Sequence, residues 1–216
     1  MGLFGRKFKA SKVTALANLS ISRIAILKNQ HQVRCSLACS DVTQLLHLGR
    51  QEDALHRVEL VIKEQNTVDA LAMMEKYCHL LIEKRVLIKT KGECPEELTV
   101  AISSLIFAAS RWGEFPELHE LRKIFTSRYG NEFAAHCVEL RNNSSVQPKM
   151  IPKLSKRHTW SGKRLDMLND IAADCGITLC VEDETSQISQ SMPQVNSENE
   201  CAEGEEESQQ GTEAAQ

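Results

Sequence analysis

Aromatic side chains are scarce in this chain: only 5% of its 216 residues are Phe, Trp or Tyr. A core built from it must be aliphatic, carried by Leu, Ile, Val and Ala. Turn formers are scarce as well, with 10 Gly and 5 Pro, so long helices with few breaks are expected rather than a turn-rich sheet. No apolar run approaches the roughly 18 residues that a membrane span requires. The basic start, Met1 to Lys12, is followed by no apolar stretch of the signal-peptide kind, so secretion is not expected. Met1-Gly2 does not open a myristoylation signal either, because Arg6 stands where Ser or Thr is needed. The eight cysteines are Cys35, Cys39, Cys78, Cys94, Cys137, Cys175, Cys180 and Cys201, with no Cys-x-x-Cys among them. In a cytoplasmic chain they are expected to be reduced, and on apolar helix faces they behave as small hydrophobes.

The common catalytic signatures are missing too. There is no Gly-x-Gly-x-x-Gly, no P-loop and no Gly-x-Ser-x-Gly, and Ser161-Gly162-Lys163 has no upstream glycine in P-loop register. His119-Glu120 starts like a zinc-protease helix, but Lys123 occupies the place of the second histidine, where a cation repels a metal. His31, Cys35 and Cys39 lie one helical turn apart and offer zinc-type ligands. They also fall in the register of a helix seam, which is the preferred reading. His136-Cys137 and the pair Cys175 and Cys180 are weaker candidates. The expectation is a non-enzymatic chain without metal or cofactor.

Charge is missing by sign at each end. No acid precedes Asp41, and no Lys or Arg follows Arg164. Residues 1–181 carry all 26 cations against 19 acids, a net +7, whereas residues 182–216 carry ten acids and no cation, a net −10. Such asymmetry points to an anionic partner, and to a tail able to mask the surface that meets it. In the first residues Leu3, Phe4 and Phe8 alternate with Arg6, Lys7 and Lys9, the composition of a short interfacial anchor. Lys12, Arg23, Lys28 and Arg34 continue the positive charge, giving a candidate membrane or acidic-partner surface. Nucleic acid is not the expected partner, because residues 13–48 hold no aromatic platform and no recognised binding module.

What is present is helical periodicity. From Ala10 to Leu48 there is neither Gly nor Pro, and a seam recurs in steps of three and four: Val13, Leu16, Ser20, Ile24, Leu27, His31, Cys35, Ala38, Val42, Leu45. Ser20 and His31 interrupt it with polar groups. Gly49 takes the position of a left-handed C-cap. A second segment, Gln51 to about Lys89, has its own apolar face, including Ala54, Val58, Val61, Ile62, Leu71, Cys78 and Leu81. Two long helices joined by a tight turn run antiparallel. Shorter helices are predicted from Pro95 to about Ala109, Glu117 to Tyr129 after Pro116, Glu132 to Leu140, and Lys163 to Cys175. The last has an apolar face of Leu165, Leu168, Ile171 and Ala172 and ends at Gly176. Asn142 to Pro152 reads as a loop. The predicted organisation is a basic amphipathic arm (1–12), an all-α helical domain (13–181) and a disordered acidic tail (182–216) too poor in apolar residues to offset ordering entropy.

Several blocks of the sequence resemble a known family. The second segment carries Arg57-Val58-Glu59-Leu60-Val61-Ile62-Lys63-Glu64, then Asp69-Ala70, then Tyr77-Cys78-His79-Leu80-Leu81. Ser104 to Ala109, Arg128 to Phe133 and Lys153-Leu154-Ser155 follow in order. Together they resemble the increased-sodium-tolerance-type ESCRT-III-like proteins, regulators of the ATPase that disassembles ESCRT-III on multivesicular bodies. The resemblance implies an ESCRT-III-like hairpin with shorter helices packed on it. It also implies contacts with ESCRT-III subunits (the charged multivesicular body proteins) and with the AAA ATPase, homo- or hetero-polymers, and work at the cytoplasmic side of the endosome in protein sorting. There are departures. His79 stands where an acid is usual, and residues 35–40 are unusually poor in charge. Family members dock on the ATPase through leucine- and arginine-bearing or proline-rich tail motifs, whereas here no Leu follows Leu179 and no Lys or Arg follows Arg164. A helical adaptor unrelated to membranes, or a zinc-binding protein, are the alternative readings.

Overall fold

A computed structural model describes residues 10–90, 92–141, 144–155 and 161–179. The chain divides into two units, Met1–Leu179 and Cys180–Gln216, and the described residues all lie in the first. The arm residues Leu3, Phe4, Arg6, Lys7, Phe8 and Lys9, and the acidic tail, fall outside them.

Without glycine or proline to stop it, the first segment runs as one helix, α1 (Ala10–His47). At its end Gly49 adopts φ +70°, a conformation that L side chains rarely take, and the Arg50 N–H closes on the Leu45 carbonyl at 2.9 Å. That hydrogen bond across a left-handed glycine turns the chain back on itself. Helix α2 (Gln51–Glu83) then packs antiparallel along α1. It is shorter than the periodicity predicts. Lys84 leaves helical geometry (φ −91°, ψ 22°), and a separate turn, α3 (Arg85–Thr90), follows. No local breaker marks this point. Packing supplies the cause, because the reoriented turn sinks Ile88 to 1% exposure in the core.

Pro95 caps α4 (Glu96–Arg111) from an extended backbone position instead of standing inside it. Every residue of α4 from Ala101 to Ala109 is buried, including Ser103 and Ser104. Pro116 opens α5 (Pro116–Tyr129), and Gly130 at φ +97° separates it from α6 (Asn131–Glu139). The stretch predicted as loop contains a short helix, α7 (Met150–Lys153), whose Met150 is fully buried. Helix α8 (Ser161–Asp174) ends at Gly176, φ +67°, where the Ile177 N–H reaches the Ala172 carbonyl at 2.8 Å. Among the described residues there is no strand, in keeping with the all-α expectation.

Packing forms two apolar clusters. The larger joins the first half of α1 (Val13, Ala17, Ile24) to the second half of α2 (Leu71, Met74, Cys78, Leu81) and to α3, α4, α5 and α6. Its largest buried side chains are Phe107, Phe115 and Phe125, set among aliphatic residues of every contributing helix. The smaller lies at the hairpin tip, where Ala38, Val42 and Leu46 meet Ala54, Val58, Val61 and Ile62 under Leu168, Ile171 and Ala172 of α8. Leu165, predicted on the buried face of α8, is 52% exposed. The helix seats along Arg164, Leu168, Ile171 and Cys175, which leaves Leu165 at its edge.

Candidate functional site

The polar residue that breaks the α1 seam at His31 finds a polar partner. Its Nδ1 lies 2.5 Å from Oε2 of Glu64, which is itself only 6% exposed. The pair bridges α1 and α2 between the two apolar clusters, with Ile24 and Leu71 on one side and Ala38 and Ile62 on the other. Trp112 stands edge-on to His31 and to Phe115, each at 6.4 Å between ring centroids. A buried carboxylate with one dedicated partner disfavours any slip of α2 along α1, because a shifted register strands both groups. Sequence reading placed His31 in the seam but missed Glu64, since an acid in the polar run Lys63 to Thr67 looks solvent-facing.

The cations proposed as a membrane or acidic-partner surface fall into two groups. Three are already paired within the chain. Arg23 donates from Nε (2.6 Å) and Nη2 (2.8 Å) to the two carboxylate oxygens of Glu117 on α5. The guanidinium holds the Glu117 carboxyl below its ordinary pKa. Lys12 donates to Glu120 at 3.3 Å, and Lys123 donates to the same carboxylate at 2.8 Å; these two ammonium groups, Lys123 first, hold Glu120 low as well. Lys28 donates to Glu75 on α2 at 2.8 Å. Arg34 is different: it is exposed, and no acid pairs with it among the described residues. The positive flank of α1 is thus partly consumed in clamping α5 and α2 to the hairpin. Net charge along one helix could not show this, because the acids that neutralise it come from α2 and α5.

The residues that carried the family resemblance hold the fold. Arg57 on α2 bonds Asp41 on α1 through Nε at 3.0 Å and also through Nη2, crossing the hairpin near its tip. Val58 and Ile62 are buried in the tip cluster. Glu59 receives Arg164 Nη1 at 2.8 Å and so ties α8 to α2. Tyr77 packs on the larger cluster. Cys78 is buried facing Ser20, and burial pushes its thiol up to about 12. Lys153, in the Lys-Leu-Ser block, bonds Asp69 at 2.5 Å and fastens α7 to α2.

The zinc-type candidates are occupied otherwise. His31 faces Glu64, while Cys35 lies against the Val61 carbonyl at 3.9 Å with its thiol pushed up to about 11 by burial and by Cys39. A thiol held protonated is a poor metal ligand or nucleophile. Cys175 sits 3.4 Å from the Thr43 hydroxyl at the end of α8. His119 meets the Gly113 carbonyl at 3.1 Å, and Glu120 is engaged by Lys123 and Lys12. No group of three or more metal-type ligands comes together among the described residues.

Fold and surface together define a helical-hairpin scaffold with shorter helices clamped along it by ion pairs. The Ist1 family, described as a regulator of Vps4 activity in the MVB pathway, matches residues 14–178. The chain belongs to this family. An IST1-like protein of Dictyostelium discoideum is 28% identical over 195 residues, covering 88% of this chain and 51% of its own length. The vacuolar protein sorting-associated protein IST1 of Saccharomyces cerevisiae is 25% identical over 152 residues, covering 67% of this chain and 50% of its own length. The chain therefore spans about half the length of these relatives. The solved N-terminal domain of S. cerevisiae Ist1, in complex with the Did2 MIM motif, shares the fold. Its TM-score is 0.70 at 23% identity, over 86% of this chain and all of that one.

Proposed function

We propose that this chain regulates a Vps4-type ATPase in the multivesicular-body pathway, joining ESCRT-III assemblies at the cytoplasmic side of the endosome as a helical scaffold. The family match across residues 14–178 is the observation that carries the reading. The S. cerevisiae relative bound to a MIM motif supports ESCRT-III subunits as partners. On this reading the chain performs no bond chemistry of its own. A 38-residue helix is a rod about 57 Å long, stiffened by α2 along one side. It offers partners a set of faces, and the ATPase performs the hydrolysis.

The test is the ATPase rate of a purified Vps4-type enzyme on ESCRT-III polymers with increasing amounts of this chain, alongside binding of a Did2-type MIM peptide. A dose-dependent change in rate together with peptide binding supports the proposal. An unchanged rate and no peptide binding would reject it.

Contact with anionic membrane is part of the same proposal. Lys12, Arg23 and Lys28 are already shared with carboxylates, so the arm (residues 1–9) is left to supply most of the attraction, at about 1 kcal/mol per cation near the surface. Co-sedimentation with phosphatidylserine-containing vesicles is expected to fall when residues 1–9 are deleted, and to fall with salt. Binding unaffected by both would remove the membrane from the proposal.

A further inference from the structure

Helix α1 carries a second apolar row that the seam does not use. Leu19, Ile26, Val33 and Leu37 are between 55% and 61% exposed. At 3.6 residues per turn they fall within an arc of about 40° and run for about 27 Å along the helix. Their row points away from the buried row of Val13, Ala17, Ile24, Ala38 and Val42. Isolated surface leucines need no explanation, but an aligned row of four large aliphatic side chains is a contact face that no other helix covers among the described residues. Its two borders differ. One holds Lys12, Arg23 and Arg34; the other holds the exposed, uncharged Ser22, Asn29, Ser36 and Ser40. The helix has no acid before Asp41.

We infer that this face of α1 docks an acidic amphipathic helix from a partner protein, with apolar side chains on the row and carboxylates against the Arg34 border. The length of the row matches about five helical turns, and its narrowness suits a rod rather than a sheet edge. A second copy of this chain fits poorly, because α1 has no carboxylate along this stretch to meet the cations, whether two copies pack parallel or antiparallel. A bilayer fits less well than a helix. An interfacial helix is usually bordered by cations and presents aromatic or broad apolar surface, whereas this row is narrow and wholly aliphatic, with one border neutral. Arg34 is the specificity element, being the border cation left without an intrachain acid among the described residues. The inference sharpens the reading of the α1 cations. It does not depend on ATPase regulation, so the two fail in different assays.

The probe is a stapled, fluorescent amphipathic helix of five turns with a leucine row bordered by Glu, compared with a twin bordered by Lys. Anisotropy is measured with the full chain. The Glu peptide is expected to bind at least about tenfold tighter than its twin, with affinity falling as salt rises. Ile26→Glu combined with Val33→Glu should weaken it at least tenfold, and Arg34→Glu should narrow the difference between the twins. Both changes lie on exposed positions, and an unaltered melting temperature confirms that the variants fold. Equal binding of the twins, or no loss with the double variant, overturns the inference. So does a dimer by sedimentation that the double variant dissolves, which assigns the face to a second copy. Row-dependent binding to phosphatidylserine vesicles in the absence of peptide binding assigns it to a membrane and overturns the inference equally.

Discussion

Where α1 begins, the hairpin is wrapped. Phe107, Phe115 and Phe125 fill the space between α1, α2, α4 and α5, and α4 is buried along the nine residues from Ala101 to Ala109. At the tip, alanines and valines of α1 and α2 meet one short helix, α8, through Leu168, Ile171 and Ala172. The same two rods therefore support a thick core at one end and a thin one at the other, with His31 and Glu64 between them. Burial scales with apolar area, so the aromatic end is expected to set global stability. The tip is expected to open locally, because few apolar contacts and exposed ion pairs mark the low-stability end of a fold.

The sharpest way to break this comparison is to thin the thick end. Phe125→Ala should cost about 3–5 kcal/mol and lower the midpoint of chemical denaturation for the whole helical signal. A loss below about 1 kcal/mol would mean that the aromatic end does not dominate. His31→Ala comes next. It strands the buried Glu64 carboxylate, and about 3 kcal/mol of destabilisation is expected; His31→Gln, which keeps a donor, should recover part of it. At the tip, Leu168→Ala should cost about 2–3 kcal/mol, but locally. Maleimide labelling of Cys175, mapped by mass spectrometry, should accelerate while the main denaturation midpoint moves less than for Phe125→Ala. Arg164→Gln is the smallest. Its pair with Glu59 is partly exposed, and about 0.5 kcal/mol is expected, visible only as a modest increase in the same labelling rate.

Much of the hairpin could be read from the sequence because its signals are local. The Gly- and Pro-free run after Ala10, Gly49 at the turn, Pro116 opening α5 and Gly176 ending α8 act through backbone geometry within a few residues. The break at Lys84 was invisible because nothing local causes it; Ile88 reaches the core only through the tertiary packing of α3 against α1 and α2. Leu165 misled for a related reason, since it shares the period of the α8 face, and the Arg164–Glu59 contact decides which edge seats. The candidate surface was legible only in part. Cations on α1 are countable, but Glu75, Glu117 and Glu120 are brought to them by tertiary packing. The outward row of Leu19, Ile26 and Val33 did carry a signal, a seven-residue spacing parallel to the seam, and it becomes meaningful only when the seam's own direction is known.

Native-state hydrogen exchange tests the difference between the two ends most directly. Amides of α8 (Ser161–Asp174) should open at a free energy at least about 2 kcal/mol below those of residues 101–109 in α4, with α1 and α2 near the tip in between. Equal opening energies for α8 and α4 would contradict the account, because the hairpin would then be a single cooperative body with no end built to yield.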